Sequence, residues 1–290
     1  MAGIPTNRTS IDLPVEVSNE IMQTVQEESA VMRLASRVAL PGNGMSIPVI
    51  TSDPEASWVG ETDKKPVSNP GLDTKIMRGY TIAVIVPFSN QFRRDRRQLY
   101  DAIVGRLPKA LGKKFDETVF GNGSAPGSDF DTFAEISKQS LASDVYGGLV
   151  AADTDIAIHG GILNGFAISP QMRGVLLGAT DTTHRPIFND VTEGDVPKLI
   201  GAPTYLTRGA FVSGSPATIG IAGDWTKAMY GIVEDVSITE SDQATLTLAN
   251  GTTFNLFEHN MFAIRAEIEV GFRADTSVFN ALTHNSVPSI

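Results

Sequence analysis

The stretch from Arg93 to Gly123, RRDRRQLYDAIVGRLPKALGKKFDETVFGNG, constrains the fold more than any other, because it carries the longest helical pattern in the chain. Leu99, Ile103, Leu107, Leu111, Phe115 and Val119 recur every four residues, with Ala102 and Ala110 filling in, and draw one apolar stripe along a helix. Asp95 is placed to cap the first turn, and Gly121-Asn122-Gly123 offers the left-handed backbone that stops a helix. The spacing predicts one helix of about 24 residues, roughly 36 Å long at ~1.5 Å per residue. It should bend where Pro108, flanked by Gly105 and Gly112, removes a backbone donor. A long bent helix among strand patterns predicts an α+β fold with sheets laid on a spine.

Those strand patterns are clearest late in the chain. In NMFAIRAEIEVGFRAD, Phe262, Ile264, Ala266, Ile268, Val270 and Phe272 are apolar, while Arg265, Glu267, Glu269 and Arg273 fall between them, which predicts a sheet face on the spine and a charged outer face. Ile232, Val236 and Ile238 are in phase in GIVEDVSITES, and Asn250-Gly251 in ATLTLANGTTFNLF is a hairpin-turn signal. Earlier, GMSIPVI and KIMRGYTIAVIVPFSN read as strands, the second with Ile76, Tyr80, Ile82, Val84, Val86 and Phe88 on one face. Between them lies TSDPEASWVGETDKKPVSNPGLDTK, whose core candidates are almost confined to Trp58 and Val59. A polar segment that long, between two strands, predicts a projecting hairpin stabilised by lying on another subunit.

The remaining segments are shorter. LPVEVSNEIMQTVQEESAVMRLASRVAL has an incomplete helical stripe through Val17, Ile21, Val25, Met32 and Leu34, preceded by a polar arm. After the glycine-rich GNGSAPGSDFDTF, a helix is expected around Asp131 to Val150. Then DIAIHGG and GFAISP read as strands, a helix begins after Ser169-Pro170, and RPIFND, KLIGAPTYLTR and PATIGIAGDW read as short strands of an α/β unit.

Composition excludes several classes. With no cysteine, the 290-residue chain has no disulfide framework, thiolate metal site or cysteine nucleophile, and a reducing site of folding fits. No run approaches the roughly 20 apolar residues of a membrane span, and MAGIPTNRTSIDLPVEV lacks the basic region and apolar core of a signal peptide. A net charge of −10 argues against a general nucleic-acid binder, so any DNA contact should be local, weak and non-specific.

The order of pieces resembles a known family. LPVEVSNEI with ESAVMRLA, a hairpin loop containing SWVGETDKKP, a strand closing in PFSNQFRRD, the spine helix ending in GNG, and late GAPTYLTR, GDWTKAMYG and NMFAIRAEIEVGF are similar to the HK97-fold major capsid proteins of tailed double-stranded DNA bacteriophages. The resemblance covers nearly the whole chain. It implies an N-terminal arm (residues 1–40), an extended loop (44–80), a peripheral domain with the spine helix (81–146 and 231–273) and an axial α/β domain (147–230 and 274–290). It further implies hexamers and pentamers closing an icosahedral head around double-stranded DNA, assembled in the host cytoplasm and ending in the virion. Implied partners are further copies of the chain, a portal protein, and a decoration or cement protein. Because only a short arm precedes the first helix, either a separate scaffolding protein is expected or none is needed. The alternative shell is an encapsulin-like nanocompartment. From other classes, a hydrolase or carbohydrate-binding domain would need a concave pocket on a monomer.

Two residue sets stand out. Some members of the family crosslink a loop lysine to an asparagine at the start of the late strand, with a strand glutamate as base. GETDKKP and HNMFAIRAE place Lys65, Asn260 and Glu267 at matching positions. In that chemistry a buried carboxylate takes the ammonium proton, and the amine attacks the amide carbon with release of ammonia. Against it, Asn260 and Glu267 would face opposite sides of a regular strand, leaving Lys65 a solvated or ion-paired loop residue and Asn260 a turn residue. The second set, Arg93, Arg94, Arg96 and Arg97, is the densest positive charge, suited to pairing with a neighbour's acidic arm (Glu16, Glu20, Glu27, Glu28), to a solvated helix start or to DNA.

No cofactor or metal site and no enzyme is expected. GNGSAPG lacks the Gly-Lys-Ser/Thr of a phosphate loop, no serine sits in G-x-S-x-G, and the four histidines (His159, His184, His259, His284) lack metal-ligand spacing. Glu267 and Glu269, beside Arg265 and Arg273, read as a salt-bridged surface rather than a glycosidase pair. Asp153 and Asp155 near His159 read as a polar turn rather than a cation site.

Overall fold

The computed structural model describes residues 25, 29–52, 56–59, 64–65, 67–68, 71–95, 97–181, 183–188, 198–247, 251 and 253–285. The polar arm with its acidic residues Glu16, Glu20, Glu27 and Glu28, together with Arg96 and Asn250, lies outside them. The predicted spine is two helices. After a short helix α2 (Asn90–Asp95), α3 (Arg97–Val104) stops at Gly105-Arg106 and α4 (Leu107–Val119) restarts. Pro108 is the reason. In mid-helix its ring would meet the Val104 carbonyl and remove a donor, whereas in the first turn of α4 that donor would be unused. Asp95 is itself helical, and its carboxylate accepts from Arg94 Nε (2.9 Å).

The far end of α4 stops as the glycines predict. Gly121 has φ +85°, the Gly121 N–H donates to Thr118 O (3.2 Å), and the Asn122 N–H donates to Glu117 O (2.8 Å), a Schellman pattern. Leu107, Leu111, Phe115 and Val119 are all buried along α4. Gly112 brings the Val25 carbonyl close: a Cβ there would sit 3.1 Å from that oxygen. The buried Val25 and helix α1 (Ala30–Leu34) thereby lie on the spine.

A four-stranded sheet packs on α4. It takes β1 (Ser36–Ala39), β4 (Tyr80–Ser89), β10 (Ala228–Ser241) and β13 (Met261–Ala274) in the order β1-β10-β13-β4. β1 runs parallel to β10, and the other pairs are antiparallel. Phe262, Ile264, Ala266, Ile268, Val270 and Phe272 are buried as the period-two pattern predicts. Arg273, expected on the outer face, is also buried, because other elements cover that end of the strand.

The second sheet has six strands: β5 (Ser137–Ser140), β6 (Gly165–Ile168), β7 (Lys198–Leu199), β8 (Ala202–Leu206), β9 (Ala217–Gly223) and β14 (Phe279–His284), ordered β5-β14-β9-β6-β8-β7. Helices α5 (Val145–Ile158) and α6 (Pro170–Gly178) accompany it. The helix expected around Asp131 to Val150 is instead β5 followed by α5, whose start is set by the Asp144 carboxylate accepting from Gly147 N (3.0 Å). DIAI, read as a strand, is the last turn of α5. Because β5 pairs in parallel with β14, Ser137–Ser140 joins the six-stranded sheet, inside the span 81–146 assigned to the peripheral domain. RPIFND forms only an isolated bridge at Pro186 within its described residues.

The two sheets share one core. Phe133 touches Phe272 of the first sheet (ring centroids 5.7 Å), Phe279 of the second (4.6 Å) and Trp225 between them (5.8 Å).

Candidate assembly surfaces

The extended loop is a hairpin. β2 (Met45–Ser52) and β3 (Gly71–Met77) pair antiparallel from Met45↔Met77 to Ser52↔Gly71, a ladder about 24 Å long at ~3.4 Å per residue. The strand predicted to run through to Phe88 breaks at Arg78-Gly79, so β3 belongs to the hairpin and β4 to the four-stranded sheet. Beyond the paired residues, Trp58 is fully exposed and Val67 nearly so, and Lys64 and Lys65 are exposed. Trp58 and Val59, the segment's core candidates, are therefore surface residues.

What holds the hairpin is at its base. Arg273 at the end of β13 donates from Nε to Ile76 O (2.7 Å), from Nη1 to Asp131 Oδ1 (2.8 Å) and from Nη2 to Asp129 Oδ1 (3.3 Å). Lys75 on β3 donates to Ala274 O (3.2 Å) and lies 3.8 Å from Asp131, while Arg78 lies 3.4 Å from Asp129. Three cations and two carboxylates thus tie the hairpin, β13 and the loop after α4 into one joint. A planar guanidinium with several fixed donors suits such a crossing better than an ammonium does.

The predicted arginine cluster is divided. Arg93 is used within its own chain: Nη1 lies 2.7 Å from Glu240 Oε1, and its guanidinium stacks 4.4 Å from the Phe262 ring centroid. Arg94 pairs with the adjacent Asp95 (2.9 Å) and stays exposed. The side chain of Arg97, like all of Arg96, lies outside the described residues.

Lys65, Asn260 and Glu267 are not brought together within one chain. Asn260 occupies a left-handed turn (φ +52°), its side-chain oxygen accepting from Asn90 Nδ2 (2.9 Å). Glu267 lies seven residues on, roughly 24 Å along the chain at ~3.4 Å per residue. It is half-buried, paired with Arg265 Nη2 (2.9 Å) and accepting from Ser237 Oγ (3.2 Å).

One residue that sequence patterns did not single out is Asp116 on α4. Its carboxylate accepts from Ser29 Oγ (2.5 Å), Ala30 N (2.9 Å), Val31 N (3.3 Å) and Thr207 Oγ1 (3.3 Å), joining the first turn of α1, the spine and the six-stranded unit. Burial pushes this carboxyl up to about 6, against the lowering by those hydrogen bonds. As pH falls, the folded chain therefore takes up this proton before the unfolded chain does. The resulting stability is fully present below about pH 4 and lost as pH rises through 6, roughly 3 kcal/mol in all. Urea unfolding of wild type and Asp116→Asn at pH 4 and 7.5 checks this: the variant should lose that share of the pH dependence.

Against this architecture, the family model described as the Phage capsid family matches residues 11–277. The chain belongs to the phage capsid family. Among relatives, the capsid chain is 26% identical to the probable major capsid protein gp17 of Mycobacterium phage D29, over 94% of this chain and 90% of that one. It is 27% identical to the major capsid protein of Staphylococcus phage 80alpha, over 92% and 83%. The fold is similar to a solved structure from Mycobacterium phage Adephagia (TM-score 0.74, 20% identity, 90% and 91% covered). A capsid of an empty GTA particle is also similar (TM-score 0.65, 14% identity, 89% and 90% covered). The capsid protein thus has the HK97-like α+β fold, and its role is structural, as a component of the phage shell. Among the described residues no helix is long and apolar enough to cross a membrane.

Proposed function

We propose that this capsid chain is the major shell subunit of a phage head, assembling into hexamers and pentamers that close an icosahedral shell around double-stranded DNA. The observation that carries it is the hairpin: about 24 Å of paired strand, tied at its base by Arg273, with the apolar side chains Trp58 and Val67 presented to solvent. Such an arm gains burial only against another molecule. Many copies each lying on a neighbour accumulate interfaces of the obligate class, roughly 2,000 Å² or more.

The partners in this role are further copies, a portal protein, a separate scaffolding protein during assembly and, where the shell is reinforced, a decoration or cement protein. Assembly takes place in the host cytoplasm. A net charge of −10 supports only weak, non-specific contact with the packaged DNA. The engaged Asn260 and Glu267 favour a shell without the covalent crosslink, so mature particles boiled in detergent should run as a single 31 kDa band. A ladder of multiples would restore Lys65, Asn260 and Glu267 as its chemistry.

Negative-stain microscopy of the purified protein, alone and co-expressed with a scaffold from the same phage, tests the shell role. Rings or closed shells are expected. Uniform monomers under both conditions would contradict it.

A further inference from the structure

The capsid chain carries an apolar knob and an aromatic hole at opposite ends of the hairpin. The knob is Trp58, past the last paired residues Ser52 and Gly71 and fully exposed, so its indole is not packed against its own chain. The hole is a cavity of about 310 Å³ between α4, the edge strand β4 and the loop after α4. Its walls include Tyr80, Phe115 and Phe130, with Phe130 edge-on to both other rings at 6.2 Å. Thr118, Ser124 and Lys114 also line it.

We propose that the Trp58 indole of one copy seats in the Tyr80, Phe115 and Phe130 cavity of a second copy. This rests on the shell role proposed above and names the contact that the hairpin makes. An indole combines a large apolar face with one N–H that needs an acceptor when buried, and the hole is lined by three aromatic residues and by the hydroxyl-bearing Thr118 and Ser124. Lys114 adds a cation that can lie over the indole face. The second copy follows from geometry. Tyr80 lies just after Met77 at the hairpin base, about 24 Å of ladder from the tip, so Trp58 is carried away from its own cavity. Knob and hole lie on different parts of one chain, which makes the contact head-to-tail, the kind that closes rings.

The protein holds two tryptophans, and Trp225 is buried, so the change in indole exposure on assembly is a reading of Trp58. Acrylamide quenching would be measured on dissociated subunits and on closed particles, for wild type and for Ser124→Phe, which places a ring at the mouth of the cavity from an exposed loop position. The expected result is a quenching constant for Trp58 at least about tenfold lower in wild-type shells, consistent with a fully buried ring. Ser124→Phe shells should leave Trp58 quenchable or fail to close, while the free variant subunit melts like wild type. Trp58 still quenchable in closed wild-type shells overturns the contact and leaves the shell role standing. Equal protection in wild-type and Ser124→Phe shells places the indole elsewhere and also overturns it. Failure to form any particle, with or without a scaffold, overturns the shell role and this contact together.

Discussion

Phe133→Ala lowers the stability of the folded subunit by about 3–5 kcal/mol, the range for deleting a large ring from a packed core. Phe133 is fully enclosed, and its neighbours come from both sheets: Phe272 on β13, Phe279 on β14, and Trp225 on the turn between β9 and β10. The edge-on arrangements with Trp225 (90°) and Phe272 (86°) leave little scope for collapse, because each of those rings is also held by others. Relaxation would have to shift one sheet against the other. Urea unfolding of free subunits measures the loss, and a cost under about 1 kcal/mol would mean that the sheets are not joined through this ring.

Arg273→Met costs about 3 kcal/mol, and the damage concentrates on the hairpin. Methionine keeps much of the aliphatic volume but withdraws the donors to Ile76 O, Asp129 and Asp131, leaving two partly buried carboxylates with Lys75 and Arg78 at longer range. Breaking one side of such a pair costs more than the pair is worth, because the remaining charge stays desolvated. Adding Asp131→Asn should therefore recover part of the loss in a double-mutant cycle. Amide exchange in β3 should rise more than in β14, which lies in the other sheet. Uniform acceleration across both sheets would show that Arg273 serves the whole fold rather than the joint.

Much of this architecture is legible in the sequence, because it rests on periodicity. The alternation from Phe262 to Phe272 fixes the face of β13, the stripe from Leu107 to Val119 fixes the face of α4, and Gly121 ends that helix. Where local pattern competes with a specific interaction, it misleads. The four-residue apolar spacing runs straight through Gly105-Arg106, yet Pro108 obliges the helix to restart. The segment from Asp131 to Val150 lacks a decisive period, and pairing of Ser137–Ser140 with β14, over 140 residues later in the chain, decides its fate. Arg273 falls on the polar phase of its strand and is buried only because the distant hairpin base covers it. Asp116 is equally hidden: beside Phe115 in KKFDETV it reads as a solvated charge, and its partners Ser29, Ala30 and Thr207 are remote in sequence. Trp58 misleads in the opposite sense: it looks like a core residue in the sequence, and the fold leaves it outside.

The most direct measurement of the account is a cryo-electron microscopy reconstruction of the particle formed by this chain. Continuous density should carry each Met45–Met77 hairpin off its own subunit and across an adjacent one, in rings of six and five. Hairpins folded back onto their own subunits, or particles in which neighbouring copies meet without them, would contradict it.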